Sequence, residues 1–196
     1  MRGFVLTVRE NQRKNTEERG VNFSDKSATP ALAGISPESL RLPLFLLIAV
    51  VIPIVDQVTK WIIISRFSLY ESLPIIEGFL SVTRIHNSGI AFGFFPGLPR
   101  LFVLITIASM LVVVYFYVTI RPRTLLVTLG CSLILGGAAG NLIDRLHYGY
   151  VVDFINFSFW PAFNVADSSV SVGVALLLAN FLFEHKETKE HASNFI

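Results

Sequence analysis

The sequence is poor in charged residues. Only 15% of its 196 residues are Asp, Glu, Lys or Arg, whereas soluble domains usually carry about 25%. Hydrophobic residues make up 53% of the chain, and the mean hydropathy is +0.61, so we expect much of the chain to lie in lipid. The net charge of +2 provides no electrostatic footprint for nucleic acid, and we expect no such partner.

Metal-binding residues are also scarce. A single cysteine, Cys131, excludes an internal disulfide and a cysteine-based zinc site. The four histidines show no ligand spacing, so we expect neither a metal nor another cofactor. Residues 1–41 are polar, mixed in charge and without the apolar core of a secretory signal peptide. They are predicted to form a disordered cytoplasmic tail.

Long apolar runs are what the sequence has in abundance. A membrane-spanning helix needs about 20 predominantly apolar residues, and four stretches meet that need: 42–64, 99–120, 124–143 and 167–183. Residues 80–85 alternate apolar and polar, which predicts a strand. The predicted fold is therefore an all-α membrane protein, a four-transmembrane-helix bundle over residues 42–184 with a small surface β element. Residues 185–196 are predicted to be a cytoplasmic tail.

Basic residues predict the orientation of the bundle. Four spans place both termini on one side of the membrane, together with Arg121 and Arg123 between the second and third spans. The positive-inside rule makes that side cytoplasmic. The loops 65–99 and 145–166 then face outward. Three arginines oppose this assignment without reversing it: Arg66, Arg84 and Arg145.

Polar residues gather near the outward-facing ends of the spans. Ionisable groups at membrane depth are costly, so each is a candidate functional residue. Asp56 and Lys60 lie four residues apart on one helix, in the favourable order for an ion pair that could simply neutralise itself. Packing is expected of three closely spaced glycines. The candidates are Asp56, Lys60, Asn141, Asp144, Asp153, Asn164 and Asp167, and the glycines are Gly136, Gly137 and Gly140.

Two of the acids, Asp153 and Asp167, flank one outer loop and could face each other. Close carboxylates tend to share a proton. One can then take a proton from water while the other donates to a substrate carbonyl. Structural roles are also open, since Asp167 could cap the fourth span and Asp153 could be a solvated loop acid.

Structural roles are also open for the remaining polar candidates. Asp144 is expected to pair with the adjacent Arg145 or with a headgroup phosphate. Asn141 and Asn164 could orient carboxylates, hold a substrate backbone or cap helices, because an amide both donates and accepts hydrogen bonds.

Four motifs in order give the chain a resemblance to a known family. They are DQVTK at 56–60, NSGIAF at 87–92, GGAAGNLIDR at 136–145 leading to VVDF at 151–154, and PAFNVADS at 161–168. The chain resembles the lipoprotein signal peptidases (signal peptidase II), bacterial membrane aspartic peptidases. The resemblance implies a four-helix membrane bundle with an extracytoplasmic β-cradle and a short surface helix.

The resemblance also implies roles for individual residues. Asp153 and Asp167 match the catalytic pair, while Asp56 and Lys60 match supporting groups on the first helix. The positions that match residues lining the substrate site or steadying the acids are Asn87, Gly89, Asn141, Arg145 and Asn164.

The implied activity is removal of signal peptides from diacylglyceryl-modified prolipoproteins by cleavage just before the lipidated Cys. The implied partners are these substrates, membrane lipid and a globomycin-type inhibitor, and the implied location is the bacterial inner membrane. The alternative is a small ion- or proton-coupled transporter using Asp56, Lys60 and Asp144. Transporters usually place such groups near the midplane in repeated halves, and no repeat is evident here.

Overall fold

Four long helices form the body of the protein. The computed structural model describes residues 38–88 and 99–193, with side chains for 38–88 and 100–183. The helices are α1 (Arg41–Arg66), α2 (Pro99–Thr119), α3 (Leu125–His147) and α4 (Val165–Ser193). Each contains a stretch long and apolar enough to cross a membrane, which in α2 is Arg100–Thr119 and in α4 Val165–Phe183. The four predicted spans are confirmed.

Two helix ends differ from the predicted boundaries. α3 continues past residue 143 to His147, so Asn141 and Asp144 lie on the helix. It ends where the Gly149 N–H donates to the Arg145 carbonyl at 3.2 Å. Gly149 has φ +78°, a left-handed conformation that turns the chain into the next strand. α4 continues to residue 193, into the predicted tail 185–196.

α3 is the central helix, because it packs against α1, α2 and α4. Glycines allow this close approach, as predicted. A Cβ added at Gly136 would lie 2.9 Å from Ile52 Cβ on α1, and one at Gly130 would lie 2.9 Å from the Gly173 carbonyl oxygen on α4. Small residues therefore bring α3 near enough for polar side chains to meet across the helices.

A four-stranded antiparallel sheet lies where α1 and α3 end. Its order is β1 (Ser72–Ile76), β2 (Leu80–Asn87), β3 (Val151–Phe157) and β4 (Trp160–Phe163). β2 and β3 pair across the sequence, with Ile85 opposite Asp153. The alternation at 80–85 correctly predicted β2. The sheet therefore joins the two loops that follow α1 and α3, and β3 contacts both helices.

Some predictions concern residues outside the described ranges. Residues 1–37, most of the predicted tail, and Gly89 are among them. The helices within 38–88 and 99–193 are all long, so the short surface helix implied by the resemblance is not found there and stays a prediction.

Candidate active site

Asp153 lies on β3 and not in a loop, which rules out the alternative that it is a solvated loop acid. Its side chain is buried, with 1% of the residue surface exposed. Oδ1 accepts a hydrogen bond from Asn164 Nδ2 at 2.7 Å, and Oδ2 accepts one from Asn87 Nδ2 at 2.9 Å. Burial raises the pKa of Asp153 to about 6; the negative charge of Asp167 acts in the same direction, and the two amide hydrogen bonds oppose it.

Asp167 lies in the first turn of α4 and is partly exposed. Oδ1 accepts a hydrogen bond from Asn141 Nδ2 at 2.7 Å. Oδ2 accepts one from the Asn164 N–H at 3.3 Å, and the Asp167 N–H donates to Asn164 Oδ1 at 2.9 Å. This reciprocal pair makes Asn164 the helix cap, which corrects the alternative that Asp167 itself is the N-cap.

Asn164 connects the two acids. Asn164 is fully buried. Its Nδ2 donates a hydrogen bond to Asp153 Oδ1. Its Oδ1 accepts one from the Asp167 N–H, and its own N–H donates one to Asp167 Oδ2. Nδ2 also lies 3.2 Å from Asn141 Oδ1 and 3.3 Å from the Val152 carbonyl oxygen. Each of the two carboxylates predicted as a pair thus accepts a hydrogen bond from Asn164.

A buried ionic cluster lies behind the acids. Lys60 Nζ is 2.8 Å from Asp56 Oδ2 and 2.9 Å from Asp144 Oδ2, and it donates to Asn141 Oδ1 at 3.0 Å. The predicted Asp56–Lys60 pair is confirmed. Asp144 was predicted to pair with Arg145 or a headgroup phosphate; this is wrong, because it pairs with Lys60.

Of two further predicted site residues, one contacts an acid in the structure and the other does not. Asn87 contacts Asp153, in agreement with a place at the site. Arg145 instead donates to Thr106 Oγ1 on α2 at 3.4 Å. No hydrogen bond between Arg145 and the acids is found in the part of the chain described.

Sequence reasoning missed Gln57 as a site residue. Its Nε2 donates to Asp144 Oδ1 at 2.7 Å and to the Gly140 carbonyl at 3.1 Å. Its position between two ionisable residues of an apolar helix was a usable signal, because an amide there also needs a partner. The close approach of α1 and α3 at this point depends on Gly140, where a Cβ would lie 2.6 Å from Asp56 Oδ2.

Comparison with known proteins decides the family. The family model described as Signal peptidase (SPase) II matches residues 48–183. The chain belongs to the signal peptidase II family. A lipoprotein signal peptidase of Syntrophus aciditrophicus (strain SB) is 39% identical over 155 residues, which cover 74% of this chain and 96% of the relative. One of Bacillus velezensis (strain DSM 23117 / BGSC 10A6 / LMG 26770 / FZB42) is 42% identical over 151 residues, covering 75% and 99%.

Solved structures agree with this family assignment. A bacterial membrane enzyme determined by the in meso method at 2.3 Å resolution superposes with a TM-score of 0.69 and 37% identity, covering 74% of this chain and 92% of that one. A second, at 1.9 Å, gives 0.67 and 39%, covering 72% and 94%. The transporter alternative is overturned by membership of a peptidase family. Its proposed relay residues instead form the closed cluster around Lys60.

Proposed function

We propose that the chain is an aspartic endopeptidase that removes signal peptides from diacylglyceryl-modified prolipoproteins, cutting just before the lipidated Cys. Membership of the signal peptidase II family supports the substrate class. The observation that carries the aspartic mechanism is the pair Asp153 and Asp167, both hydrogen-bonded to Asn164. The four spans and the family support a multi-pass protein of a bacterial membrane.

The two acids have different surroundings, and this supports a different role for each. Asp153 is buried and has a raised pKa, so it is the proton donor. Asp167 is partly exposed at the positive end of the α4 dipole, so it is the carboxylate that meets water.

The reaction then needs one water molecule and no other reagent. Asp167 takes a proton from water as the water oxygen bonds to the scissile carbonyl carbon, and Asp153 gives its proton to the carbonyl oxygen. The resulting diol collapses as one hydroxyl returns a proton to Asp153. Asp167 passes its proton to the leaving amine as the C–N bond breaks. Both acids end in their starting states.

The lipid on the substrate would supply positioning. Apolar side chains of the spans are widely exposed, among them Trp61 at 68% and Leu182 at 66%. Such surfaces face acyl chains in a membrane. Diacylglyceryl chains held between the spans would fix the adjacent Cys in register with the acids.

The basic residues support an orientation for the site. Arg121 and Arg123 follow α2, at the end of the bundle away from the sheet. By the positive-inside rule this end is cytoplasmic, which supports cytoplasmic termini and a site at the extracytoplasmic face of the inner membrane.

Cleavage of a diacylglyceryl-modified prolipoprotein peptide by the purified protein tests the proposal. Asp153→Asn and Asp167→Asn should each lose about 10³-fold in kcat, within the range expected for loss of an acid–base group. Glu77→Gln, in the exposed turn between β1 and β2, is the control and should leave kcat unchanged. Sensitivity of the wild type to globomycin is expected. Normal turnover by either Asn variant would refute the assignment.

A further inference from the structure

Two backbone N–H groups lie immediately before the two acids and share an unusual feature. The Ala166 N–H, one residue before Asp167, donates to Asp56 Oδ1 at 2.9 Å. The Val152 N–H, one residue before Asp153, donates to Asp144 Oδ2 at 3.0 Å. A buried carboxylate thus holds the chain just ahead of each acid.

The helix geometry explains why the first contact matters. The N–H groups in the first turn of a helix have no acceptor within the helix, and Ala166 lies in the first turn of α4. Asp56 on α1 therefore holds the first turn of α4 in position against α1. In the same way, Asp144 on α3 holds the start of β3 in position against α3. Neither contact involves a side chain of the catalytic pair.

One ammonium group joins the two holding carboxylates. Lys60 Nζ lies 2.8 Å from Asp56 and 2.9 Å from Asp144. It also donates to Asn141 Oδ1 at 3.0 Å, and Asn141 Nδ2 donates to Asp167 at 2.7 Å. Lys60 is 1% exposed, and both carboxylates are fully buried.

We propose that Lys60 is a positioning residue that sets the relative placement of Asp153 and Asp167 through these backbone contacts. Its ammonium holds Asp56 and Asp144 in place, and they hold α4 and β3 by the residue before each acid. This inference rests on the proposed peptidase function and adds a residue that acts through others without touching the substrate.

Charge explains why a lysine is needed. Two buried carboxylates without a cation would be strongly unfavourable, and removing one partner of a buried ion pair leaves an uncompensated charge. Gln57 completes the arrangement, since its Nε2 occupies Asp144 Oδ1 and leaves Oδ2 to Lys60 and Val152. A displacement of about 1 Å at a catalytic group can cost about 10²-fold in rate.

Amide exchange measured by NMR on full-length protein labelled with ¹⁵N-Val and ¹⁵N-Ala tests the contacts without substrate. In Lys60→Met, the N–H groups of Val152 and Ala166 should exchange at least about tenfold faster, a loss of about 1.4 kcal/mol in protection. The internal control is Val127, whose N–H bonds Thr124 Oγ1 at the other end of the bundle. Ser132→Ala, a buried polar change on α3 outside the cluster, should leave all three rates unchanged.

Kinetics separate positioning from simple stabilisation. Lys60→Met should lower kcat about 10²-fold with KM within about twofold. The alkaline limb of the pH profile of kcat/KM should move to higher pH, because the Lys60 charge lowers the pKa of Asp153 in the free enzyme. A purely structural lysine would reduce the yield of folded protein but leave kcat per folded molecule and the pH profile unchanged, and that result would overturn the proposal.

A second comparison decides the matter if Lys60→Met does not fold. Asp144→Asn keeps an oxygen acceptor for the Val152 N–H, whereas Asp144→Ala does not. Exchange at Val152 should be faster in the Ala variant while Ala166 is unaffected. Equal exchange at Val152 in both variants would overturn the proposal, because Lys60 would then have no hold on β3 through Asp144. Failure of the wild type to cleave would instead overturn the proposed function, since the exchange rates are read without substrate.

Discussion

At the scale of single residues, the candidate site contains two acids in unlike environments. Asp153 is buried on a strand with two amide donors, and Asp167 is partly exposed at the start of a helix. The motifs predicted both residues. They could not predict the burial of Asp153, because that depends on the pairing of β3 with β2 and on its contact with Asn87.

The pKa of Asp153, raised to about 6, predicts a pH dependence. The acid form of Asp153 is present below about pH 6 and is lost as the pH rises through that value, so kcat/KM, which reports the free enzyme, should fall on the alkaline side. The hydrogen bond from Asn87 lowers the pKa of Asp153, so Asn87→Ala should move this limb to higher pH. A profile of kcat/KM from pH 4 to 9 measures both effects.

Asn156→Ala is the matched control for that experiment. Asn156 lies on the same sheet but bonds Ser81 and Thr83 and not Asp153. Its profile should follow the wild type. A limb that stays in place in Asn87→Ala, or that moves equally in Asn156→Ala, would contradict the assignment of the limb to Asp153.

At the scale of elements, the site is built where β3, α3 and α4 meet. The sequence predicted β2 from alternation, but VVDFINF in β3 has no such pattern, since its first four residues are all buried. It also predicted that α3 ends at residue 143, because Asp144 and Arg145 resemble a membrane boundary. Asp144 stays inside the bundle because Lys60 and Gln57 on α1 satisfy it.

The N-caps of α4 and α3 allow a prediction that separates helix stability from activity. Asn164→Ala and Thr124→Ala each remove an N-cap, of α4 and α3 respectively, and each should cost about 1 kcal/mol of stability from the cap alone. Of these two cap residues, Asn164 forms hydrogen bonds with both acids and Thr124 with neither. Asn164→Ala should therefore also lose about 10²-fold in kcat, whereas Thr124→Ala should keep wild-type kcat.

Thermal unfolding in detergent, together with kcat on the lipidated peptide, measures the two effects separately. Thr124 does contact Asn180, at 2.6 Å, but this pair lies far along the bundle from the acids. Equal losses of kcat in the two cap variants would show that stability alone controls activity, against a specific role for Asn164.

At the scale of the whole molecule, the orientation in the membrane is open to a direct test. Ser158→Cys lies in the exposed turn between β3 and β4, and Glu38→Cys lies in the exposed turn before α1. A membrane-impermeant maleimide should label Ser158→Cys in intact spheroplasts and Glu38→Cys only after permeabilisation. The native Cys131 is fully buried, so little background labelling is expected. The reverse pattern would show that the site faces the cytoplasm.

The sequence by itself determined the four spans, because lipid admits only long apolar helices whose backbone groups are satisfied internally. It also determined the family through four ordered motifs, and the same motifs predicted Asp153 and Asp167 as the catalytic pair. Only the tertiary structure decided how the acids are held. Glycine contacts bring α3 against α1 and α4, and β2 pairs with β3. These contacts join residues far apart in sequence, so no local pattern could reveal that Lys60 and Asn164 connect Asp153 with Asp167.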